Sequence, residues 1–218
     1  MQHPFALDDD SFVDVIAGAR RGEERAIELL FVDLQPRLLR FLRSAEPRVA
    51  DDLAAEVWLA LAKGMRSFDG DLDGFRAWAF TIARRRLIDH RRSATRRRTE
   101  PTGALELVEA PLAADPAEHV VDRQSAQEAI DLIARELPAD LAEVLLLRVV
   151  GGLDVAHVAD VMGRTANWVR VMQHRALRRL ASRFPTPTTD SSTEGSPDSS
   201  TLLAPAVIPA PSQAISTS

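Results

Sequence analysis

Apolar positions recur every three or four residues along most of this chain, which is the period of a helix with one buried face. Asp10 or Ser11 starts a first helix that runs through Arg21 and stops at Gly22. A second is expected over 23–34, with Ile27, Leu30, Phe31 and Leu34 on one face, and Pro36 opens a third that buries Leu38, Leu39 and Leu42. Residues 50–65 form another, with Leu53, Val57, Leu59 and Leu61 apolar against Asp51, Asp52 and Glu56. The loop 67–74, SFDGDLDG, then leads into a long helix over 73–92 that Asp71 or Asp73 can cap. Its Phe75, Trp78 and Ile82 fall at i, i+3 and i+7, a core stripe. Alternating strand-like segments bounded by turn residues are absent, so the class is all-α.

The period dissolves over 93–118, where Pro101, Gly103, Pro111 and Pro116 mark a flexible linker. Helices resume near Pro116 and run to Leu137, then again from Ala139 to Val150, stopping at Gly151-Gly152. The next stretch, LDVAHVADVMGRTANWVRVMQHRALRRL, predicts a helix-turn-helix. Asp154 can cap a short helix with Val155, Val158 and Val161 on one face. Ala159 permits a close helix crossing, Gly163 permits a left-handed turn, and Thr165 can cap a second helix whose inward face is Val169, Met172 and Ala176. Beyond Phe184 the chain is rich in Pro, Ser and Thr and has no basic residue, the composition of a disordered tail; its LLAPAVIPA segment (202–210) is alternatively a short docking peptide. The expected organisation is two small helical bundles joined by a flexible linker, the C-terminal one holding the helix-turn-helix. The boundaries are a leader 1–10, a bundle 11–94, a linker 95–118, a bundle 119–184 and the tail 185–218.

Charge sharpens this picture. The chain is net acidic at −5, yet Arg76–Arg98 holds nine arginines against one acid, Asp89, and no acid occurs between Val161 and Phe184. Two basic helices in an otherwise acidic protein point to nucleic acid met on two specific surfaces. Arginine and amide side chains on the second helix of a helix-turn-helix neutralise phosphates and read base edges in the major groove. Thr165, Asn167, Trp168, Arg170, His174 and Arg175 are the candidate contacts there. On the long helix, Arg84, Arg85, Arg91 and Arg92 suggest a phosphate track. Phe80 points away from the Phe75–Trp78–Ile82 stripe, so it either meets an unstacked base or packs half-buried. Asp89 is expected to pair with Arg85 or Arg92 along the helix.

Other chemistries find little support. There are no cysteines and the five histidines lack ligand spacing, so no disulfide, metal site or cofactor is expected. The dense acidic loop Asp69, Asp71, Asp73 reads as a turn and helix cap, which leaves no catalytic set for a nuclease or recombinase. No apolar run approaches the ~20 residues of a membrane span, and the N-terminus has no basic, then apolar, export signal, so membrane insertion is not expected and a cytoplasmic protein is.

Four ordered motifs add a resemblance. Asp51-Asp52-Leu53-Ala54-Ala55-Glu56-Val57-Trp58, the run Phe75–Arg84, Ile88–Arg92, and Leu137-Pro138 followed by Glu143–Arg148 and Gly152-Leu153 resemble the bacterial RNA polymerase sigma factors of the extracytoplasmic-function (ECF) group, within the sigma-70 family. The resemblance spans about Ser11–Phe184. It implies a specificity subunit rather than an enzyme, with core RNA polymerase (its clamp and flap), promoter DNA and an anti-sigma factor as partners and no small-molecule substrate. It further implies polymerase binding through Asp51, Asp52, Glu56 and Trp58, recognition of the −10 element by the 75–92 helix, and of the −35 element by the 165–179 helix. This chain departs from the family pattern at Arg85, where Asn is usual, and at Arg164, Trp168 and Met172-Gln173, where Ile, Thr and Arg-Leu are usual. The competing reading is a stand-alone helix-turn-helix regulator that binds DNA without polymerase.

Overall fold

The computed structural model describes residues 7–99 and 120–183. All regular structure among them is helical: α1 (Asp9–Arg21), α2 (Glu24–Ala45), α3 (Ala50–Gly64), α4 (Leu72–Thr99), α5 (Val120–Glu136), α6 (Ala139–Val149), α7 (Val155–Met162) and α8 (Ala166–Arg183). The tail, most of the expected linker and the start of the leader lie outside the described residues.

Local chemistry sets most boundaries. Asp8 accepts the backbone N–H of Ser11 at 2.8 Å and opens α1, and Gly22 closes it at φ 83°. Asp71 receives the N–H of Gly74 at 2.7 Å and opens α4. Several expectations fail here. Residues 24–45 form one helix with Pro36 inside it. Leu30, Leu34, Leu38, Phe41 and Leu42 make one buried stripe across the proline, and the bond Pro36 cannot donate would have gone to Val32, on the exposed face. Ile27 and Phe31 accordingly turn outward, and so does Leu59 of α3 at 62% exposure. The long helix also continues past Arg92 to Thr99, since nothing in Arg92–Thr99 breaks a helix.

In the first bundle α1 packs on α2, α2 on α3 and α3 on α4. Phe75 sits among Phe12, Phe68 and Trp78 at centroid distances of 5.5–6.1 Å. Gly64 admits the indole of Trp78, since a Cβ there would lie 2.6 Å from the ring. A buried ion pair ties α2 to α4: Arg76 donates to Asp33 through Nε (3.0 Å) and Nη2 (2.8 Å), the two residues being 9% and 7% exposed. Arg37 approaches the same carboxylate at 3.7 Å.

The second bundle packs α5 on α6, α6 on α8, and α7 on both α6 and α8. Its core is Ile130, Ile133, Val144 to Leu147, Leu153, Val158, Val161, Val169 and Ala176. The bundles also meet each other: α4 packs against α7, and α2 against α5.

Candidate nucleic-acid interface

The helix-turn-helix forms as its residues dictate. Asp154 accepts the N–H of His157 at 2.7 Å and caps α7, and that bond, more than any charge, holds its carboxyl below the usual aspartate value. Gly163 takes φ 62° and returns its N–H to the end of α7. Thr165 then accepts the N–H of Trp168 at 3.2 Å and starts α8. Val169 and Ala176 are fully buried, so α8 is fixed by its inner face, and its outer face is exposed. There Arg170, Val171, His174, Arg175 and Arg178 line one open groove of about 510 Å³. Asn167 is exposed, and Trp168 is partly buried beneath the guanidinium of Arg164, 5.4 Å from the ring centre. All six candidate residues of this helix therefore sit within its first three turns.

The basic track of α4 is more divided. Arg85 and Arg92 are exposed and make no ion pair among the described residues. Arg91 donates to Glu46 at 2.8 Å and to the Ala45 carbonyl at 3.2 Å. Arg84 turns toward the second bundle, its Nε 3.0 Å from Glu143 Oε1, with the two side chains 27% and 23% exposed. Burial raises the Glu143 pKa above the usual glutamate value in spite of the Arg84 charge. Asp89 pairs with neither Arg85 nor Arg92, contrary to expectation.

Phe80 requires a correction. It is 0% exposed, less accessible than the Trp78 of the expected core stripe. Its ring meets Phe41 edge-on at 5.3 Å, and Gly151 of the second bundle lies so close that a Cβ there would stand 3.2 Å from it. No base can reach it in this conformation. The amphipathic pattern misled because α4 is covered on two sides, by α2 and α3 within its own bundle and by α7 from the other.

On α3, Asp51, Asp52 and Glu56 are exposed. Asp51 pairs with Arg43 at 3.1 Å and Glu56 with Arg86 at 3.3 Å. Trp58, which showed no polar role in the sequence, donates Nε1–H to Gln35 at 2.7 Å and packs against Phe31 at 5.2 Å. Ile27, Phe31 and Leu59 are exposed apolar residues that helical period alone had sent to the core. Leu59 shares its face with Asp52 and Glu56 at i, i+4 and i+7, a signal that was present in the spacing.

Comparison with known proteins agrees with this geometry. Sigma-70 region 2 matches residues 30–97, and Sigma-70 region 4 matches residues 127–180. The ECF RNA polymerase sigma factor SigD of Mycobacterium tuberculosis is 34% identical over 173 residues, covering 76% of this chain and 80% of SigD. The chain belongs to the ECF RNA polymerase sigma factors. A second such sigma factor, BldN of Streptomyces coelicolor, is 30% identical over 185 residues, covering 83% of this chain and 69% of its own. Among solved structures, the sigma factor RpoE of Bartonella quintana, crystallised with the anti-sigma factor NepR, shares the fold at a TM-score of 0.54 and 24% identity, covering 72% of this chain and 94% of RpoE. CnrH, in complex with the cytosolic domain of CnrY, does so at 0.53 and 19%, covering 78% and 94%. The sigma factor's region 4 match holds the capped turn and the cationic groove, and its region 2 match holds α3 and the α4 track. No helix among the described residues is long and apolar enough to cross a membrane.

Two features of the sigma factor were missed in its sequence. Arg37 lies against the Gly151-Gly152 turn, where a Cβ on Gly152 would be 3.2 Å from its Nη1; burial lowers its pKa, against the pull of Asp33. Glu143, a lone acid in the run LAEVLLL, reaches Arg84. Only the acid's place within an apolar run hinted at a partner, and nothing local identified which one.

Proposed function

We propose that this sigma factor directs core RNA polymerase to its promoters with three separate surfaces and is not itself an enzyme. Residues 11–94 engage polymerase through Asp51, Asp52, Glu56 and Trp58, with Ile27, Phe31 and Leu59 enlarging that face. Arg84, Arg85, Arg91 and Arg92 follow the −10 strand, and residues 119–184 set Thr165, Asn167, Trp168, Arg170, His174 and Arg175 against the −35 element. The protein works in the cytoplasm, with an anti-sigma factor as its restraint. The observation that carries this reading is the acid-free groove of α8, with Arg170, His174, Arg175 and Arg178 on one face behind a capped, rigid turn. Arginine forks so placed fit phosphates and base edges in a major groove.

The packed conformation adds a requirement. With Arg84 held by Glu143 and α7 lying on α4, the second bundle must leave the first before α4 can receive DNA. Polymerase, by binding the two bundles apart, supplies that separation, so the free chain binds duplex DNA weakly. Run-off transcription with core bacterial RNA polymerase and genomic fragments tests the reading. Discrete new starts that disappear in R170A/R175A are expected. Absence of new starts, together with failure to co-elute with core polymerase, would favour the stand-alone regulator.

A further inference from the structure

The outer face of α8 does not begin at the cationic groove. Trp168, Val171, Arg175 and Arg178 lie at i, i+3, i+7 and i+10, so Trp168 continues the groove's face one turn toward the start of the helix. The indole is no loose surface ring. It packs against the core at its inner edge, and its backbone N–H is fixed by Thr165 Oγ1 at 3.2 Å. Arg164 lies over it at 5.4 Å from the ring centre, placed there by the left-handed Gly163 and by its own N–H bond to the Ala159 carbonyl at 2.9 Å. Among the described residues no carboxylate pairs with Arg164.

A guanidinium held over an indole by a cation–π contact, with no carboxylate paired to it among the described residues, keeps its N–H donors for a ligand. Trp168 is thus a platform that removes much of the rotamer freedom of a long side chain before any ligand arrives. An arginine needed only for solubility, or a pair serving only to stiffen the turn, would not also continue the face of the groove.

We propose that Arg164, seated on Trp168, is a specificity-determining residue of the sigma factor. It donates two N–H bonds to the O6 and N7 edge of a guanine at one end of the −35 element, with Trp168 as its positioning residue. This inference rests on the reading that α8 enters the major groove at the −35 element. The bidentate arginine–guanine pair is the commonest specific contact in that groove. Lysine at 164 keeps the charge and loses the fork, so it cannot replace the arginine.

The test is run-off transcription by core polymerase and the full chain on templates randomised across the −35 element, with R164A, R164K, W168A and W168F compared. R164A and R164K should lose preference for guanine at a single position by about five- to hundredfold. W168A should weaken preference at that same position, while W168F, which keeps a ring face, retains most of it. Preferences elsewhere in the element stay unchanged, and far-UV circular dichroism melts verify that each variant is folded. Uniform loss across all sequences with R164K unimpaired would make Arg164 a phosphate contact and overturn the proposal. Unchanged preferences in R164A would overturn it equally. If the unmodified protein itself shows no −35 preference, the −35 reading fails first and the inference with it.

Discussion

Replacing Arg84 by alanine should separate the two bundles, whereas replacing Glu143 by glutamine should not. The two side chains meet at 3.0 Å across the contact between bundles, each with about a quarter of its surface still accessible. Losing one partner of a well-buried pair costs about 3–5 kcal/mol, chiefly because the other charge is stranded. The solvent remaining around this pair reduces that to about 1–2 kcal/mol. R84A therefore lowers the ratio of packed to separated bundles by about five- to thirtyfold. Glutamine in place of Glu143 keeps an oxygen to accept the Arg84 N–H and removes a charge whose burial outweighs its pairing, as the raised Glu143 pKa shows. Its effect should be less than about twofold, well under 1 kcal/mol.

The pH dependence follows with a definite sign. Glu143 binds its proton more tightly when packed than when free in solvent. The packed state is therefore favoured at low pH and loses that advantage as pH rises from the ordinary glutamate value through the elevated one. E143Q should abolish this trend. Because the chain has no cysteine, dye pairs can be placed cleanly with V13C on α1 and S182C on α8, both exposed positions, and read by single-molecule energy transfer. Equal separation in E143Q and R84A, or packing that strengthens as pH rises through that window, would contradict this role of the Arg84–Glu143 pair.

Three further outcomes are expected. R76A leaves the buried Asp33 with only Arg37, at 3.7 Å, and should cost about 1–3 kcal/mol in urea unfolding; undiminished stability in R76A would contradict the assignment. G151A sets a Cβ 2.5 Å from the Leu147 carbonyl oxygen and should lower stability by about 1–3 kcal/mol in thermal melts; an unchanged melting temperature would contradict this close approach. The Asp154 cap, whose pKa is depressed chiefly by the His157 N–H, contributes stability that is complete above the ordinary aspartate value and lost as pH falls through the lowered one. The stability difference between the natural chain and D154A should therefore shrink in that acidic window and stay constant above it.

Residues whose roles rest on near neighbours were legible from sequence. Asp154, Gly163 and Thr165 each act within four positions, so composition and spacing sufficed to place the turn and the direction of α8. The same holds for Asp71 and Gly22. Pro36 misled because a long buried stripe outweighs one missing hydrogen bond. Phe80, Arg84 and Glu143 were illegible for another reason. Phe80 meets Phe41 and the Gly151 turn, and Arg84 meets Glu143, all far away in sequence, whereas helical period describes one face and one neighbour at a time. Ile27, Phe31 and Leu59 show the converse, apolar side chains that no second bundle covers.

If the sigma factor works as proposed, DNA recognition belongs to the complex with polymerase and not to the free chain. Binding to a promoter fragment recovered from run-off transcription, measured by fluorescence anisotropy with and without core RNA polymerase at physiological salt, tests this most directly. Tight, sequence-dependent binding is expected only when polymerase is present, with weak and salt-sensitive binding by the chain alone. Equally tight and specific binding without polymerase would contradict it and identify a stand-alone regulator.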